Sequence, residues 1–331
     1  MCVLRIEKLI SNNSVSPKRS QHLVNKPNIV IKNPPKWTRL IARFTNPRGL
    51  NNPQKLKQAV QGKVVLITGA SFGIGEETAK HLAKQGAIVL LVARSFEKLQ
   101  AVASHIIQQG GVAYTYNCDL SQPESAKKLA SDILEQHGHV DILLNNAGKS
   151  IRRSIAMSLD RFQDFERTIA INYLGPVQLI LALLPSMRAR KKGHIINIST
   201  WGVKMPAGGR WSAYQASKGA FDTWFKSVSV EMKQDGISTT SIYPAIVYTR
   251  MSAPTPWMHL LPGMTTDDAA HVIERAIVEK PYDISPPWLW SAQVSAVLIP
   301  TPVRKYMEFV FKLTKDGDAS IQSAKTSITQ R

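Results

Sequence analysis

The stretch Lys63-Val-Val-Leu-Ile-Thr-Gly-Ala-Ser-Phe-Gly-Ile-Gly75 decides the fold. Its first six residues form an apolar run typical of a buried strand. The glycines that follow allow a tight turn and a close approach of the backbone to a pyrophosphate. Helical periodicity then runs from Gly75 to Gly86, and the N-terminus of that helix would offer N–H groups to the phosphates. Strand, glycine-rich loop and helix in this order predict a dinucleotide-binding site.

Beyond this loop, apolar runs alternate with segments of helical periodicity. We predict further strands at residues 87–92, 112–117, 140–144, 194–198 and 238–243, and a short last one at 281–285. We predict helices at residues 96–110, 123–137, 160–190 and 213–233. This alternation predicts an α/β fold, a single Rossmann-type doubly wound parallel sheet with helices on both faces, over residues 62–285.

Two less regular segments precede this domain. Residues 1–36 are polar, basic and rich in Asn, Pro and Ser, which predicts a disordered arm. Residues 37–61 predict short amphipathic helices, packed on the domain or on a membrane surface. The chain has a net charge of +19, and most of the excess lies in residues 1–63. This bias suggests a membrane surface, a nucleic acid or an acidic substrate as partner, or an arm that keeps the protein soluble.

Residues 286–331 form a C-terminal extension with an apolar first part. No charged residue lies between Pro286 and Val303, and four prolines interrupt that segment. We therefore expect a lid over an apolar pocket, an interfacial anchor or a subunit contact, and no simple bilayer-spanning helix. An amphipathic segment follows at residues 306–313. Together with the basic arm it suggests contact with a membrane surface.

Cysteine and histidine usage limits the classes of site. Only two cysteines are present, Cys2 and Cys118, and the eight histidines show no ligand spacing. We predict no disulfide framework, no metal site and a reducing compartment, the cytoplasm. No secretory signal and no run of about 20 apolar residues is found. We do not expect a nucleic acid as partner, because no recognised nucleic-acid-binding module accompanies the basic arm.

The segment Tyr214-Gln-Ala-Ser-Lys218 supplies the candidate chemistry. Its phenol and its ammonium are four residues apart and would share one face of a helix. The ammonium would lower the phenol pKa from its ordinary value of about 10. Such a pair can serve as acid and base for a carbonyl or an alcohol. Alone the pair is more often structural, but the glycine loop upstream favours the catalytic interpretation.

The end of the second predicted strand bears on the choice between NAD and NADP. A carboxylate there would hold the ribose 2′-hydroxyl of NAD, but this chain has Ala93-Arg94-Ser95. Arg94 can pair bidentately with a 2′-phosphate, and Ser95 can donate to it. We therefore predict NADP(H) as the cofactor.

Several motifs together resemble the short-chain dehydrogenase/reductase family. In order, they are Thr68-Gly69-x-x-x-Gly73-x-Gly75, Asn145-Asn146-Ala147-Gly148, Asn172, the segment Ile195 to Thr200, Tyr214-x-x-x-Lys218 and the segment Pro244 to Thr249. The resemblance implies hydride transfer between NADPH and a carbonyl or an alcohol. It implies that Tyr214 protonates the developing alkoxide, that Lys218 lowers the Tyr pKa and binds the nicotinamide ribose, and that Asn172 binds a water of a proton relay.

The resemblance also implies the cofactor contacts. It places the adenine at Asp119 and gives the cofactor-binding set Gly69, Ser71, Phe72, Gly73, Ile74, Gly75, Arg94, Ser95, Asp119, Leu120, Asn146, Ala147, Gly148, Tyr214, Lys218, Val247 and Thr249. A further hydroxyl orients the carbonyl oxygen, and two residues compete for that role. The alignment favours Thr200, whereas the residue type favours Ser199.

A narrower resemblance concerns the substrate. The segments Arg210 to Ala220, Met251 to Pro256 and Asp267 to Pro281 are similar to a subgroup of bacterial fatty acyl-CoA reductases. This implies a lipidic substrate such as a fatty acyl-CoA or a fatty aldehyde. A hydroxysteroid- or retinol-type dehydrogenase suits the apolar tail equally, and a non-catalytic NADP(H)-binding regulator is a third alternative. The family resemblance also implies a homo-oligomer, a dimer or a tetramer.

Overall fold

The computed structural model describes residues 36–206 and 208–317, and it confirms the predicted fold class. Seven parallel strands form one sheet in the order β3-β2-β1-β4-β5-β6-β7. The strands are β1 (Val64–Thr68), β2 (Ile88–Ala93), β3 (Val112–Asn117), β4 (Ile142–Asn145), β5 (Gly193–Ile198), β6 (Ile237–Ile242) and β7 (Asp283–Ile284). The predicted arm up to residue 35 and the end of the extension from residue 318 lie outside the described residues.

Helices cover both faces of the sheet. They are α1 (Lys36–Thr45), α2 (Pro53–Val60), α3 (Ile74–Lys84), α4 (Phe96–Gln108), α5 (Pro123–His137), α6 (Phe162–Ile169), α7 (Gly175–Ala189), α8 (Ser212–Gln234), α9 (Thr266–Glu279), α10 (Leu289–Leu298) and α11 (Pro300–Leu313). Side chains of β1 alternate between two cores, as the period of a strand requires. Val65 and Ile67 pack with α3, α4 and α9, whereas Leu66 packs with α5, α7 and α8.

The strand order reverses direction at β1. Strands β2 and β3 continue on one side of it, and β4 to β7 continue on the other. Residues Val65 to Ile67 of β1 pair in parallel with residues Ile142 to Leu144 of β4. In an open parallel sheet, the crevice beyond the carboxyl ends of two such strands is the place where ligands bind. The predicted glycine loop and Asn145-Asn146-Ala147-Gly148 follow these two strands.

The predicted helix at residues 160–190 is one helical segment with an irregular centre. Helix α6 passes through a π-helical turn, Ala170–Leu174, into α7. The segment Phe162–Ala189 is long and apolar enough to cross a membrane by length and composition. In this fold, its residues Leu179, Ile180 and Leu183 are buried against the sheet. One face of the segment is therefore part of the domain core.

The two N-terminal helices differ in how they use their apolar residues. Helix α2 buries Leu56 and Val60 in the core. Helix α1 instead exposes its apolar residues, which are Trp37, Leu40, Ile41 and Phe44. Of the two alternatives left by the sequence, packing on the domain therefore describes α2, and the apolar face of α1 remains open to solvent.

The C-terminal extension is helical and is attached beside the last strand. Strand β7 pairs with β6 through Ser241–Asp283 and Ile242–Ile284, where the sequence predicts a short last strand. Leu289 at the start of α10 is fully buried. Most of the apolar side chains of α10 and α11 are exposed. The end of α11 is nevertheless tied to the domain, because Arg210 donates to the carbonyl of Phe311 and to the hydroxyl of Thr314, each at 3.0 Å.

Candidate active site

A cavity of about 240 Å³ lies where β1, β4, β5 and β6 end. Its walls come from the loops that follow these strands and from the first turns of α8. Among the residues predicted from the sequence, those that line it are Gly69, Phe72, Gly73, Ile74, Asn146, Ala147, Gly148, Ser199, Thr200, Tyr214, Lys218, Val247 and Thr249. The fold thus brings one end of the glycine loop and the Tyr–Lys pair to a common space.

The glycine loop has a conformation that side chains would disturb. Gly69 and Gly73 have φ angles of 68° and 69°, which glycine adopts without steric cost. A Cβ atom at Gly75 would lie 2.5 Å from the carbonyl oxygen of Gly69. The side-chain amide of Asn146 braces the loop by donating to the carbonyls of Thr68 at 3.0 Å and Gly69 at 3.2 Å. The backbone is therefore held tightly at the start of α3, where an anionic group would bind.

Strand β4 is tied to the same loop through a threonine. The hydroxyl of Thr68 accepts hydrogen bonds from the backbone N–H groups of Asn146 at 3.0 Å and Ala147 at 2.9 Å. The hydroxyl also donates to the carbonyl of Leu144 at 3.3 Å. These bonds satisfy the polar groups that the ends of two buried strands leave unpaired.

The remaining predicted cofactor residues lie outside the cavity wall, and four of them, Arg94, Ser95, Asp119 and Leu120, follow β2 and β3. Nη1 of the exposed Arg94 lies 3.8 Å from Oδ2 of Asp119. Asp119 turns its other oxygen to Ser121, which donates through N at 3.0 Å and Oγ at 2.7 Å. Ser95 is the cap residue of α4, and Ser71, Gly75 and Leu120 are buried. Arg94 thus stands at the end of β2 with its guanidinium accessible.

Tyr214 and Lys218 lie one turn apart on α8, and each contacts the loop after β5. Lys218 is buried, and its Nζ donates to the carbonyl of Ile198 at 2.8 Å. The hydroxyl of Thr200 faces that of Tyr214 and acts to lower its pKa. The carbonyl end of β5 and the pair on α8 are thereby fixed relative to each other.

Burial shifts the pKa values of the pair in opposite directions. Burial raises the pKa of Tyr214 to about 12, and the hydroxyl of Thr200 acts in the opposite direction. Burial lowers the pKa of Lys218 to about 8, and the charge of Asp222 opposes that shift. Loss of hydration dominates the pKa of Tyr214 here, and the ammonium of Lys218 donates to the carbonyl of Ile198. The lowering of the Tyr214 pKa by Lys218 stays a prediction. Tyr214 is fully protonated at neutral pH.

The two candidate hydroxyls after β5 face different partners. Oγ of Ser199 lies 3.5 Å from Oδ1 of the buried Asp222. That carboxylate also accepts from the hydroxyl of Tyr243 at 2.7 Å and from Nζ of Lys226 at 2.6 Å. Thr200 is the residue whose hydroxyl reaches Tyr214. Both hydroxyls line the cavity, and Thr200 is the one that influences the pKa of Tyr214. The choice between them stays a prediction.

Asn172 lies in the π-helical turn and holds the loop after β4. Its Oδ1 accepts from the backbone N of Lys149 at 2.8 Å, and its Nδ2 donates to the Lys149 carbonyl at 2.9 Å. Nδ2 also donates to Oγ of Ser217 at 2.9 Å, and Ser217 donates to the carbonyl of Tyr214. Asn172 thus links the β4 loop to α8, and its role in a water relay stays a prediction.

The sequence interpretation missed the apolar wall of the cavity. Trp201, Trp211, Met251 and Met258 line it beside the Tyr–Lys pair. Trp201 directly follows Thr200, and Trp211 lies three residues before Tyr214, with ring centroids 6.0 Å apart. The positions of the two tryptophans near Thr200 and Tyr214 could have indicated this wall from the sequence. Met251 and Met258 could not, because they belong to a loop after β6 that reaches the cavity only in the folded protein. The missed residues make this side of the cavity suitable for an apolar ligand.

Comparisons with known proteins identify relatives along most of the chain. The family model for short chain dehydrogenase matches residues 63–258. A fatty acyl-CoA reductase of Acinetobacter baylyi is 44% identical over 276 residues, which cover 83% of this chain and 93% of that protein. An uncharacterized oxidoreductase of Mycobacterium tuberculosis is 41% identical over 302 residues, covering 90% and 86% of the two chains. The crystal structure of a metagenomic short-chain oxidoreductase in complex with NADP superposes with a TM-score of 0.60 at 31% identity, covering 68% of this chain and 96% of that chain.

Proposed function

The chain belongs to the short-chain dehydrogenase family, and we propose that it reduces long-chain carbonyl compounds with NADPH, with a fatty acyl-CoA or a fatty aldehyde as substrate. Members of this family are NAD(P)-dependent oxidoreductases. The observation that carries the proposal is one cavity that joins the glycine loop, the Tyr214–Lys218 pair and an apolar aromatic wall. The relative from Acinetobacter baylyi, a fatty acyl-CoA reductase, supports this substrate class.

NADP(H) is favoured over NAD(H) by the groups at the end of β2. Arg94 occupies the position where a carboxylate would hold the 2′-hydroxyl of NAD. Its exposed guanidinium can pair with a 2′-phosphate, and the hydroxyl of Ser95 lies next to it in the chain. Asp119 is close enough to Arg94 to orient the guanidinium at 3.8 Å. The NADP in the related metagenomic oxidoreductase agrees with this preference.

Each polar residue of the cavity has a separate role in the proposed reaction. When bound, NADPH supplies the hydride that is added to the carbonyl carbon. Tyr214, fully protonated at neutral pH, donates its proton to the carbonyl oxygen as negative charge develops there. Thr200 donates a hydrogen bond to the same oxygen, and Lys218 stabilises the phenolate that remains. With an acyl-CoA, this addition gives a hemithioacetal. Its hydroxyl proton returns to the Tyr214 phenolate as the carbon–sulfur bond breaks, and the departing thiolate takes a proton from water, so that the products are an aldehyde and the free thiol of CoA.

The wall of the cavity suits the hydrocarbon part of the substrate. Trp201, Trp211, Met251 and Met258 offer no charged group to a chain lying against them. Trp201 contacts Trp288 edge to face, with ring centroids 5.6 Å apart. The apolar surface therefore continues from the reacting carbon into the C-terminal extension. A long chain exceeds a cavity of about 240 Å³ and would extend along that surface.

Turnover of a defined set of carbonyl compounds tests this function. We expect the full-length protein to oxidise NADPH in the presence of a long-chain acyl-CoA and of the matching long-chain aldehyde. A steroid ketone and retinal represent the competing substrate class, and NADH serves as the control cofactor. Turnover confined to the steroid or retinal would contradict the fatty substrate. Tight NADPH binding without turnover of any compound would favour the non-catalytic regulator.

A membrane surface is the partner that we propose for the C-terminal extension. The apolar side chains of Trp290 and Leu298 in α10 are 72% and 74% exposed. Helix α11 places exposed cations, Arg304, Lys305 and Lys312, near them in the chain. Apolar side chains combined with basic groups match an anionic lipid surface. Such a location, on the cytoplasmic side of a membrane, would also bring a lipidic substrate close to the cavity.

Co-sedimentation with lipid vesicles measures this contact. We expect binding to vesicles containing phosphatidylglycerol, weaker binding to pure phosphatidylcholine, and release at high salt because screening weakens exposed charge contacts. The double variant W290S/L298S should sediment less, whereas V230S, which changes an exposed apolar residue of α8, should behave as wild type. Equal sedimentation of all three proteins would argue against the extension as the contact. A dimer lost only in W290S/L298S would identify these helices as a subunit interface instead.

A further inference from the structure

Outside the active site, two histidines and three carboxylates meet where α3 packs against α9. They are His81 and Glu77 of α3 and Asp267, His271 and Glu274 of α9, here called the His–carboxylate cluster. The two imidazole rings lie edge to face with centroids 5.1 Å apart. None of these residues lines the catalytic cavity.

Two carboxylates lie on opposite sides of the histidine pair. The buried Glu274 contacts Nδ1 of His81 and Nδ1 of His271, each at 2.7 Å and each through a different oxygen. On the other side, Asp267 places its oxygens 3.2 Å from Nε2 of His81 and 3.8 Å from Nε2 of His271. All four ring nitrogens therefore face a carboxylate oxygen, and Glu77 adds a further oxygen 3.5 Å from Nε2 of His81.

A count of protons shows that additional positive charge would suit this arrangement. A neutral imidazole carries one N–H and one lone pair. With both rings neutral, two of the four contacts would set a nitrogen lone pair against a carboxylate oxygen. A second proton on each ring, or a cation in the place of two protons, would turn both of these contacts into attractive ones. Three carboxylates, those of Glu77, Asp267 and Glu274, surround the rings.

We propose that His81, His271 and Glu274 bind a divalent transition-metal ion, with Zn²⁺ as the best match. Each of the three offers a ligand atom within 4.8 Å of those of the other two. Imidazole nitrogen and carboxylate oxygen are common zinc ligands, and a water can complete a tetrahedral site. The metal ion would sit on the Nδ1 side of both rings and displace any protons held there.

Asp267 would support the metal site without binding the ion. Once Nδ1 of each ring faces the metal ion, each Nε2 carries the N–H. The two oxygens of Asp267 already lie opposite these two nitrogens, at 3.2 Å and 3.8 Å. A carboxylate that accepts the second N–H of a ligating histidine fixes the ring and increases its basicity. The alternative group of Glu77, His81 and Asp267 is more exposed, so water competes better for its oxygens.

The position of the site gives the metal ion a structural role. Helix α3 begins at Ile74, directly after Gly73 of the glycine loop, which would hold the cofactor phosphates. Helix α9 begins soon after the loop that carries Met251 and Met258 to the cavity wall. A metal ion bound by both helices would fix the cofactor loop relative to the substrate loop. We therefore expect it to stabilise the folded protein and to leave the chemistry to the catalytic cavity.

The spacing rules used on the sequence could not reveal this site. Locally, the pattern contains only Glu77 and His81 four residues apart and His271 and Glu274 three residues apart. His81 and Glu274 are separated by 193 positions. The expectation of no metal site was based on spacing along the chain alone, and it does not consider contacts between helices.

Zinc titration of the full-length protein, stripped with a chelator, tests the proposal. We expect one equivalent of Zn²⁺ to bind in competition with a chromogenic chelator and to raise the melting temperature. H81Q, H271Q and E274Q should lose this binding, and D267N should weaken it by about 10- to 100-fold. The exposed His105 of α4 provides the matched control, because H105Q should bind as wild type. Substitution of Co²⁺ should give the visible spectrum of a tetrahedral nitrogen–oxygen site.

Three results would overturn the proposal. The first is a wild-type protein that does not bind one equivalent of Zn²⁺ at neutral pH. The cluster would then bind protons and no metal ion. The second is zinc binding that persists unchanged in folded H271Q, whose side chain is 41% exposed and tolerant of replacement. The third is loss of binding in E77Q with retention in E274Q, which would assign the ion to the outer carboxylates.

Discussion

Replacing Tyr214 by phenylalanine is expected to lower kcat by about 100- to 10,000-fold, the usual contribution of a positioned acid. The substitution removes the only atom of the side chain that can donate a proton to the carbonyl oxygen. The ring stays in place, so its contact with Trp211 at a centroid distance of 6.0 Å is kept. Steady-state NADPH oxidation with the long-chain aldehyde measures kcat, and fluorescence titration measures NADPH affinity.

The control for this variant is a tyrosine that shares the chemistry but not the location. Tyr306 of α11 is 60% exposed and lies outside the cavity wall. Y306F should keep wild-type kcat, and both variants should keep the wild-type melting temperature. If Y214F turned over the aldehyde at a rate close to wild type, another group would have to supply the proton, and the proposed mechanism would fail.

The protonation of this phenol suits the reduction that we propose. Burial raises the pKa of Tyr214 to about 12, so the proton needed for reduction is present without prior uptake. Oxidation of an alcohol would need the phenolate, which is scarce until the pH approaches that pKa. Lys218, whose pKa is lowered to about 8, loses its charge above that pH. The charge that stabilises the phenolate is therefore lost before the phenolate becomes abundant.

The features that could be predicted are those that depend on the spacing of neighbouring residues along the chain. The apolar run before Gly69, the glycine loop and the alternation of strands and helices predict the doubly wound sheet, which the structure confirms. The i,i+4 relation of Tyr214 and Lys218 predicts that both side chains share one face of α8. These inferences succeed because the period of a strand or a helix is a property of the neighbouring residues.

Features that depend on distant residues or on burial could not be predicted in this way. The pKa of Tyr214 is set by the loss of hydration in the folded protein, which a neighbouring lysine in the sequence does not reveal. Met258 reaches the cavity wall only through the loop after β6. The amphipathic pattern of α1 predicts a buried face as readily as an exposed one, because both have the same periodicity.

The two hydroxyls after β5 are expected to respond differently to removal. T200V should lower kcat by roughly 100- to 1,000-fold, the cost of losing one donor to a developing oxyanion. S199A should stay close to wild type, because Ser199 faces Asp222 and that carboxylate keeps its shorter bonds to Tyr243 at 2.7 Å and Lys226 at 2.6 Å. Asp222 thereby continues to oppose the loss of charge on Lys218.

T200S is the variant that separates a hydroxyl effect from a packing effect. It restores the hydroxyl beside Tyr214 without the methyl group, so its kcat should return towards the wild-type value. Thr200 also accepts a bond from the backbone N of Gly202 at 3.4 Å, and equal melting temperatures of T200V and T200S would show that this contact is not the cause of the loss. A large loss of kcat in S199A together with an active T200V would assign the carbonyl-orienting role to Ser199. The turn after β5 would then have to rotate when the ligands bind, since in this structure Ser199 faces Asp222.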